Sequence, residues 1–380
     1  MRIAVHTSHY PYSENRPGYV SGGGERVAKS VSKELANRGH EVSVYTAAAG
    51  ASERYYEDGV EVVRFRSLAR IGETSVSPRQ FLPIPDAADL IHVHNTTPPG
   101  VISGYLHSTR VGAPMVLTHH GNDRYVPNGS PIKRVLDYVY AEIMLDYILQ
   151  RSAGISLPSE TYLTESERLQ RVQNKIRTIP NGIDISRYDR PETETQAEAT
   201  FGLCSDDDVV VFLGDMIPKK GPDLLVDAAN HLENVTVIVA GSGPLVKQCR
   251  DVATDSVILP GYISEETKIA LLNRADLFCL PSRTHTEVFP LVLLEAYASR
   301  TPVVASDLGT FEGLIDETTG RYFPRDESTA LAETISTLLS DKEKRTELSA
   351  GARKAAEDYR WPEIAKRYES MFEQVLQESK

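Results

Sequence analysis

Short apolar runs recur along the chain, separated by longer stretches in which apolar residues return every three to four positions. In the first half these runs are "RIAVHT", "EVSVYT", "VEVVRF", "DLIHVH", "PMVLTHH", "AGISLPS" and "IRTIP". Runs of this length, alternating with helical periods, predict β-strands joined by crossover helices and so a parallel sheet covered on both faces. The pattern restarts with "DVVVFLG", "VTVIVAG", "VILPG", "DLFCLPS", "PVVAS" and "GRYF", which predicts a second sheet of the same kind. Between the two sets, "PNGIDISRYDRPETETQAEATFG" is polar and broken by Asn-Gly and Pro. It reads as a linker and puts the boundary near 180–200. The expected fold is α/β, with two doubly wound, Rossmann-like domains facing each other. Open sheets of this type collect ligands beyond the carboxyl ends of their strands, so the loops there should line a cleft.

A length of 380 residues fits two domains. With 41% hydrophobic and 25% charged residues, the chain has the composition of an ordinary soluble protein. Its net charge of −12 argues against a nucleic-acid partner, which demands excess Lys and Arg on the contact face. Cys204, Cys249 and Cys279 are an odd number at wide spacing, and Cys279 lies in the apolar "DLFCLP". They are expected to be reduced, in a cytoplasmic setting. "MRIAVHT" enters a strand pattern at once, and no apolar run is long enough to span a bilayer. Neither a standard export signal nor a membrane span is expected.

The strand ends then nominate chemistry. After the first strand, Gly22, Gly23 and Gly24 stand just before a helix whose apolar face carries Val27, Val31 and Leu35. Glycines there let a sugar or phosphate approach the backbone, and helix amides attract anions; an ordinary flexible loop is the alternative. His94 ends "DLIHVH", and His119 and His120 end "PMVLTHH". "FLGDMIPKKGPDLLVDAA" is a strand, a turn and a helix, with Lys219 and Lys220 at the junction as point charges for a diphosphate or as solvated turn residues. In "HTEVFPLVLLEA", Pro290 is preset for a first helical position. Glu287 then falls in the preceding loop and Glu295 in the second helical turn, with exposed amides near Phe289 and Leu291 between them. Hydroxyl, anion and hydroxyl binders in series suit a nucleotide sugar: Glu295 for a ribose, the helix start for a diphosphate, Glu287 for sugar hydroxyls. The bland reading is a dipole-compensating Glu and a solvent-facing Glu. "DDD" at 206–208 precedes a strand, which makes it a solvated turn and not a metal-binding Asp-x-Asp. No metal site is expected.

In their order, "GGGERVAKSVSKELANRGHEVSVYT", "DLIHVHN", "LTHHG", "TIPNGIDISRY", "LGDMIPKKGPDLLVDA", "VIVAGSGP", "PGYIS", "FCLPSRTHTEVFPLVLLEAYASRTPVVAS" and "WPEIAKRYESMFEQVL" resemble the retaining GT-B glycosyltransferases of family 4 over essentially the whole chain. The Glu-x7-Glu block with its flanking "PS" and "PVVAS" is the most specific part. The resemblance implies an acceptor-side domain over 1–182, a nucleotide-sugar domain over 183–358, and a final helix over 359–380 that returns to the first domain. It implies that Glu295 holds the ribose, Glu287 the donor sugar, Lys220 the diphosphate, Gly261 and Tyr262 the base, and His120 the sugar near the reacting carbon. It further implies no cofactor beyond a UDP- or GDP-sugar donor, and a carbohydrate, lipid or lipid-linked acceptor. His119 is expected to be a core or edge histidine and His94 a structural strand-end residue outside the site.

Two positions depart from the family pattern: Asp215 stands where Arg assists the diphosphate, and Val288 where Gly is frequent. A carboxylate beside phosphates is repulsive. The departure at Asp215 keeps open an inactive nucleotide-sugar sensor or a scaffold. A glycoside hydrolase would need two carboxyls opposed across the scissile bond, which a proline-led helix between Glu287 and Glu295 disfavours. "SPIKRVLDYVYAEIMLDYILQR" is amphipathic and aromatic, and "ESERLQRVQNKIR" is locally basic. Together they could form a face for peripheral contact with the cytoplasmic membrane surface or for a lipid-phosphate acceptor; core packing with a solvated helix is the alternative.

Overall fold

The computed structural model describes residues 1–12, 22–48, 50–71, 74–84, 86–121, 131–284 and 287–379. The chain divides into two compact units, Met1–Asn181 with Trp361–Lys380, and Gly182–Arg360. His285 and Thr286, inside the family-like block, lie outside the described residues.

The first unit is built on β1 (Arg2–His6), β2 (Glu41–Ala48), β3 (Glu53–Glu57), β4 (Val60–Arg66), β7 (Leu90–Asn95), β8 (Met115–His119), β9 (Gly154–Leu157) and β10 (Ile176–Thr178), with β5 (Ala69–Ile71) and β6 (Thr74–Val76) in a separate two-stranded sheet. The large sheet runs β10-β9-β8-β7-β1-β2-β4-β3. Every pair is parallel except β3 with β4. The chain moves outward from β1 in one direction as far as β4 and then restarts beside β1 at β7. Its topological switch point is therefore between β1 and β7, where the loops at the carboxyl ends part.

The second unit contains β11 (Asp208–Leu213), β12 (Val235–Ala240), β13 (Val257–Gly261), β14 (Leu277–Leu280), β15 (Val303–Ser306) and β16 (Gly320–Phe323), in the order β13-β12-β11-β14-β15-β16. All its pairs are parallel. Val209, Val211 and Leu213 of β11 face one core cluster and Val210 and Phe212 the other. Burial on both faces is why this strand reads as a continuous apolar run without alternation. The switch point here lies between β11 and β14.

Three local expectations change. The stretch 180–202 is not a linker: Ile183, Ile185 and Tyr188 are buried in the core of the second unit, and helices span Ile185–Tyr188 and Glu194–Phe201. Gly23 and Gly24 do not precede the helix but form its first turn, with Gly22 as the N-cap of Gly23–Asn37. Pro290 is likewise the cap of the helix Leu291–Ala298 and not its first residue, with ψ of 122° keeping it extended.

The last helix, Trp361–Glu378, belongs to the first unit. It buries Tyr368 and Phe372 beside His92, at ring distances of 5.4 and 5.1 Å. Glu369 accepts from His40 at 2.8 Å and from Arg38. No helix among the described residues is long and apolar enough to cross a membrane.

Candidate functional site

At the switch point of the second unit, two loops are clasped together. The turn after β11 closes on the turn after β12: Met216 N–H donates to Ser242 O at 2.8 Å, and Leu245 N–H donates to Met216 O at 3.0 Å. A Cβ on Gly241 would lie 1.8 Å from Gly214 O, so only glycine allows this approach. Asp215 stands exposed at the tip and forms no ion pair among the described residues. Further on, Gly221 (φ +65°) ends a short 3-10 turn, Pro218–Lys220, directly against the loop after β14. Arg283 ties the two loops: its N–H donates to Lys219 O at 2.8 Å, and its guanidinium reaches Asp223 at 2.7 Å and Asp326 at 2.5 Å. This clasp brings Lys220 Nζ to 2.7 Å from Glu287 Oε1, with both side chains largely buried. The two candidates expected on different parts of a ligand are thus an ion pair.

The helix Leu291–Ala298 follows. Its first positions, Leu291 and Val292, have amides without acceptors inside the helix. Phe289 is buried and packs edge-on against Tyr359, ring centroids 5.7 Å apart. Glu295 is only 3% exposed. Lys268 Nζ donates to its Oε2 at 2.8 Å and the Tyr188 hydroxyl to its Oε1 at 3.0 Å. The same hydroxyl lies 2.9 Å from Glu265, and its single proton can serve one carboxylate at a time. Burial pushes the Glu265 carboxyl up, but Lys268, Tyr188 and Arg187 outweigh it and leave it below the usual value. Tyr188 and Lys268 carry no signal of this role in the sequence. Gly261 ends β13 with φ +78°, and Tyr262 beside it is 81% exposed, unusual for so large a ring. Ser282, Ser306 and Thr310, beyond β14 and at the end of β15, are buried with hydroxyls lacking partners among the described residues.

The switch point of the first unit is equally specific. Glu25, third in its helix, reaches back to the amide of the cap residue Gly22 and to Thr96, while burial raises its pKa. This is half of a capping box and fixes the glycine turn. A Cβ on Gly24 would sit 2.7 Å from Thr96 Cγ2 and 3.3 Å from the His120 ring. Gly24 is therefore required by close packing on two protein side chains. His120 Nε2 is 3.1 Å from His94 Nδ1. His94, expected to be outside the site, is its direct partner. His119 is buried, its Nδ1 accepting from Gly121 N–H at 3.1 Å, in line with a core role. Burial, with a smaller contribution from His119, pushes the His120 pKa down to about 3, so the ring is neutral near pH 7.

The family described as Glycosyl transferases group 1 matches residues 194–355, and the one described as Glycosyltransferase Family 4 matches residues 21–187. The chain is a family 4 glycosyltransferase of the GT-B fold. A D-inositol 3-phosphate glycosyltransferase of Xylanimonas cellulosilytica is 26% identical, with 96% of this chain and 93% of that protein aligned. An O-antigen chain mannosyltransferase C of Escherichia coli is also 26% identical, over 94% of each chain. Anabaena HepE, solved in complex with UDP-glucose, superposes with a TM-score of 0.75 at 20% identity, covering 98% of this chain and all of that one. Within this glycosyltransferase, Lys220, Glu287, Leu291 and Glu295 gather at one switch point, and Gly23, Gly24 and His120 at the other. Gly261 and Tyr262 lie at the end of β13, two strands from β11.

Proposed function

We propose that this glycosyltransferase moves a hexosyl unit from a UDP- or GDP-sugar to a hydroxyl of a carbohydrate, lipid or lipid-linked acceptor, with retention of anomeric configuration. The observation that carries the reading is the order at the switch point of the second unit: a Lys220–Glu287 pair, a helix start with open amides, and a buried carboxylate at Glu295. Bond cleavage at the anomeric carbon builds charge on the departing diphosphate. Lys220 and the amides of Leu291 and Val292 are fixed donors for that charge. Glu287 accepts from sugar hydroxyls, Glu295 from the ribose, and Tyr262 offers a ring face to the base. His120 takes a polar group of the transferred sugar, and the first unit holds the acceptor. The UDP-glucose complex of HepE supports a UDP-sugar donor, and the glycosyltransferase and mannosyltransferase relatives support transfer of a sugar.

Positive charge supplied by Lys220 and helix amides removes the need for a divalent ion. Incubation with a UDP- or GDP-sugar and acceptor should release the nucleoside diphosphate at the same rate with and without EDTA, and NMR of the product should show the donor's anomeric configuration. Loss of turnover in EDTA that Mn²⁺ restores contradicts the metal-free mechanism. Binding without turnover favours the sensor reading instead.

Asp215 opposes a diphosphate that approaches its turn. Asp215→Arg substitutes a forked donor, so nucleoside diphosphate affinity should rise, and the gain should shrink with added salt. Calorimetry at two ionic strengths checks this; unchanged affinity places Asp215 away from the phosphates.

The protein is proposed to work in the cytoplasm, with peripheral membrane contact. Val135, Leu136, Ile143 and Tyr147 are 62, 47, 62 and 45% exposed on consecutive helical segments, Pro131–Arg151. Cosedimentation with phosphatidylglycerol vesicles should fall on Ile143→Asp. Equal binding by both proteins, or none by either, rejects that contact.

A further inference from the structure

The bond between His94 and His120 has a direction that their surroundings decide. The two ring planes are within 17° of parallel with centroids 5.3 Å apart, and the nitrogens are 3.1 Å apart. With nitrogens so much closer than centroids, the rings meet edge to edge, N–H and lone pair in one plane. Lost hydration holds the His94 pKa well below its usual value and takes His120 to about 3, so both are neutral and each carries one proton.

Two arrangements satisfy the bond. In one, His120 donates from Nε2, and His94 must then keep its proton on its own Nε2. That nitrogen is buried and has no partner among the described residues. In the other, His94 donates from Nδ1, its Nε2 is a bare lone pair, and the proton of His120 sits on Nδ1. A stranded buried donor is rarer and costlier than an under-used acceptor, so the second arrangement prevails. His92 packs on His94, centroids 4.4 Å apart, and is itself occupied at Nε2 by Thr118 Oγ1 at 2.7 Å.

We infer that His94 is a positioning residue that donates to His120 Nε2 and so fixes His120 as the Nδ1–H tautomer, which offers its ligand a donor. His120 Nδ1 makes no hydrogen bond among the described residues and is left for that ligand. The group it selects is an oxygen with an available lone pair, such as a sugar hydroxyl, and a group that can only donate is rejected. This rests on the placement of His120 at the transferred sugar.

The test is long-range ¹H–¹⁵N correlation of ¹⁵N-histidine-labelled protein near pH 7, with the His120 signals assigned from their loss in His120→Gln. A protonated Nδ1 and bare Nε2 are expected for His120. His94→Asn, whose amide can still donate, should keep the tautomer and most of the rate. His94→Leu should move the proton to Nε2 and lower kcat on the order of tenfold, as loss of an orienting partner does. A wild-type His120 protonated on Nε2, or a His94→Leu protein with unchanged tautomer and rate, overturns the inference; if His94→Leu does not fold, the wild-type spectrum alone decides it. Full transfer by His120→Ala, with the Nδ1–H tautomer seen in the wild type, overturns instead the site reading beneath it.

Discussion

Glu295→Ala should cost about 2–5 kcal/mol of stability as well as nucleotide affinity, because it opens a buried void and takes from Lys268 one of its two carboxylates, the other being Glu265 at 2.9 Å. Glu295 is 3% exposed, shares Lys268 with Glu265 at 2.8 and 2.9 Å, and also takes the Tyr188 hydroxyl. Loss of affinity in this variant alone is therefore ambiguous. Adding Lys268→Met removes the half-paired charge and fills space, while Glu265 keeps Arg187 and the Tyr188 hydroxyl, so Glu295→Ala with Lys268→Met should regain most of the melting temperature. Nucleoside diphosphate affinity should stay weakened by about 1.5–3 kcal/mol, the worth of hydrogen bonds to a charged group. Denaturant unfolding and calorimetry on the same samples separate the two effects. If affinity returns together with stability, Glu295 is a structural carboxylate and the ribose is held elsewhere.

Gly221→Ala should be nearly as damaging. The residue has φ +65°, where a Cβ costs about 1–2 kcal/mol. That Cβ would also lie 2.0 Å from the backbone oxygen of Pro281, and a backbone atom cannot swing aside as a side chain does. Relief requires the turn Pro218–Lys220 to part from the loop after β14, adding about 1–3 kcal/mol of strain. Because Arg283 and the Lys220–Glu287 pair span the same junction, the variant should bind nucleoside diphosphate more weakly even where it remains folded. A melting temperature within a degree or two of the wild type contradicts the close approach.

The strands were legible where burial on both faces makes a continuous apolar run, as in "DVVVFL". By contrast β3, "ERYYE", alternates half-buried and exposed positions and pairs antiparallel with β4, a choice made by its neighbour and not by its own pattern. Tyr188 was hidden because "DISRYDR" is polar on either side of it, although it anchors the core and reaches Glu295. Lys268 resembles any solvent-facing lysine until the helix Glu265–Arg274 is packed beside Glu295. Glu287 and Lys220 are visible singly because each ends a strand–turn unit. Their pairing depends on the clasp between two loops 67 residues apart, which no local pattern contains. His94 reads as a strand residue since it is one; its bond to His120 comes from the registry of β7 beside β8.

On this proposal the second unit of the glycosyltransferase holds a nucleoside diphosphate sugar through Glu295 and Lys220. Thermal unfolding with UDP-, GDP- and ADP-sugars, in the wild type and in the protein carrying both Glu295→Ala and Lys268→Met, tests it most directly. A ligand at 100 times its dissociation constant stabilises by about 2.7 kcal/mol. At least one of the sugars should stabilise the wild type by that margin and the double variant by at most about half of it, each read as a rise in melting temperature; no shift in the wild type, or equal shifts in both proteins, contradicts this reading.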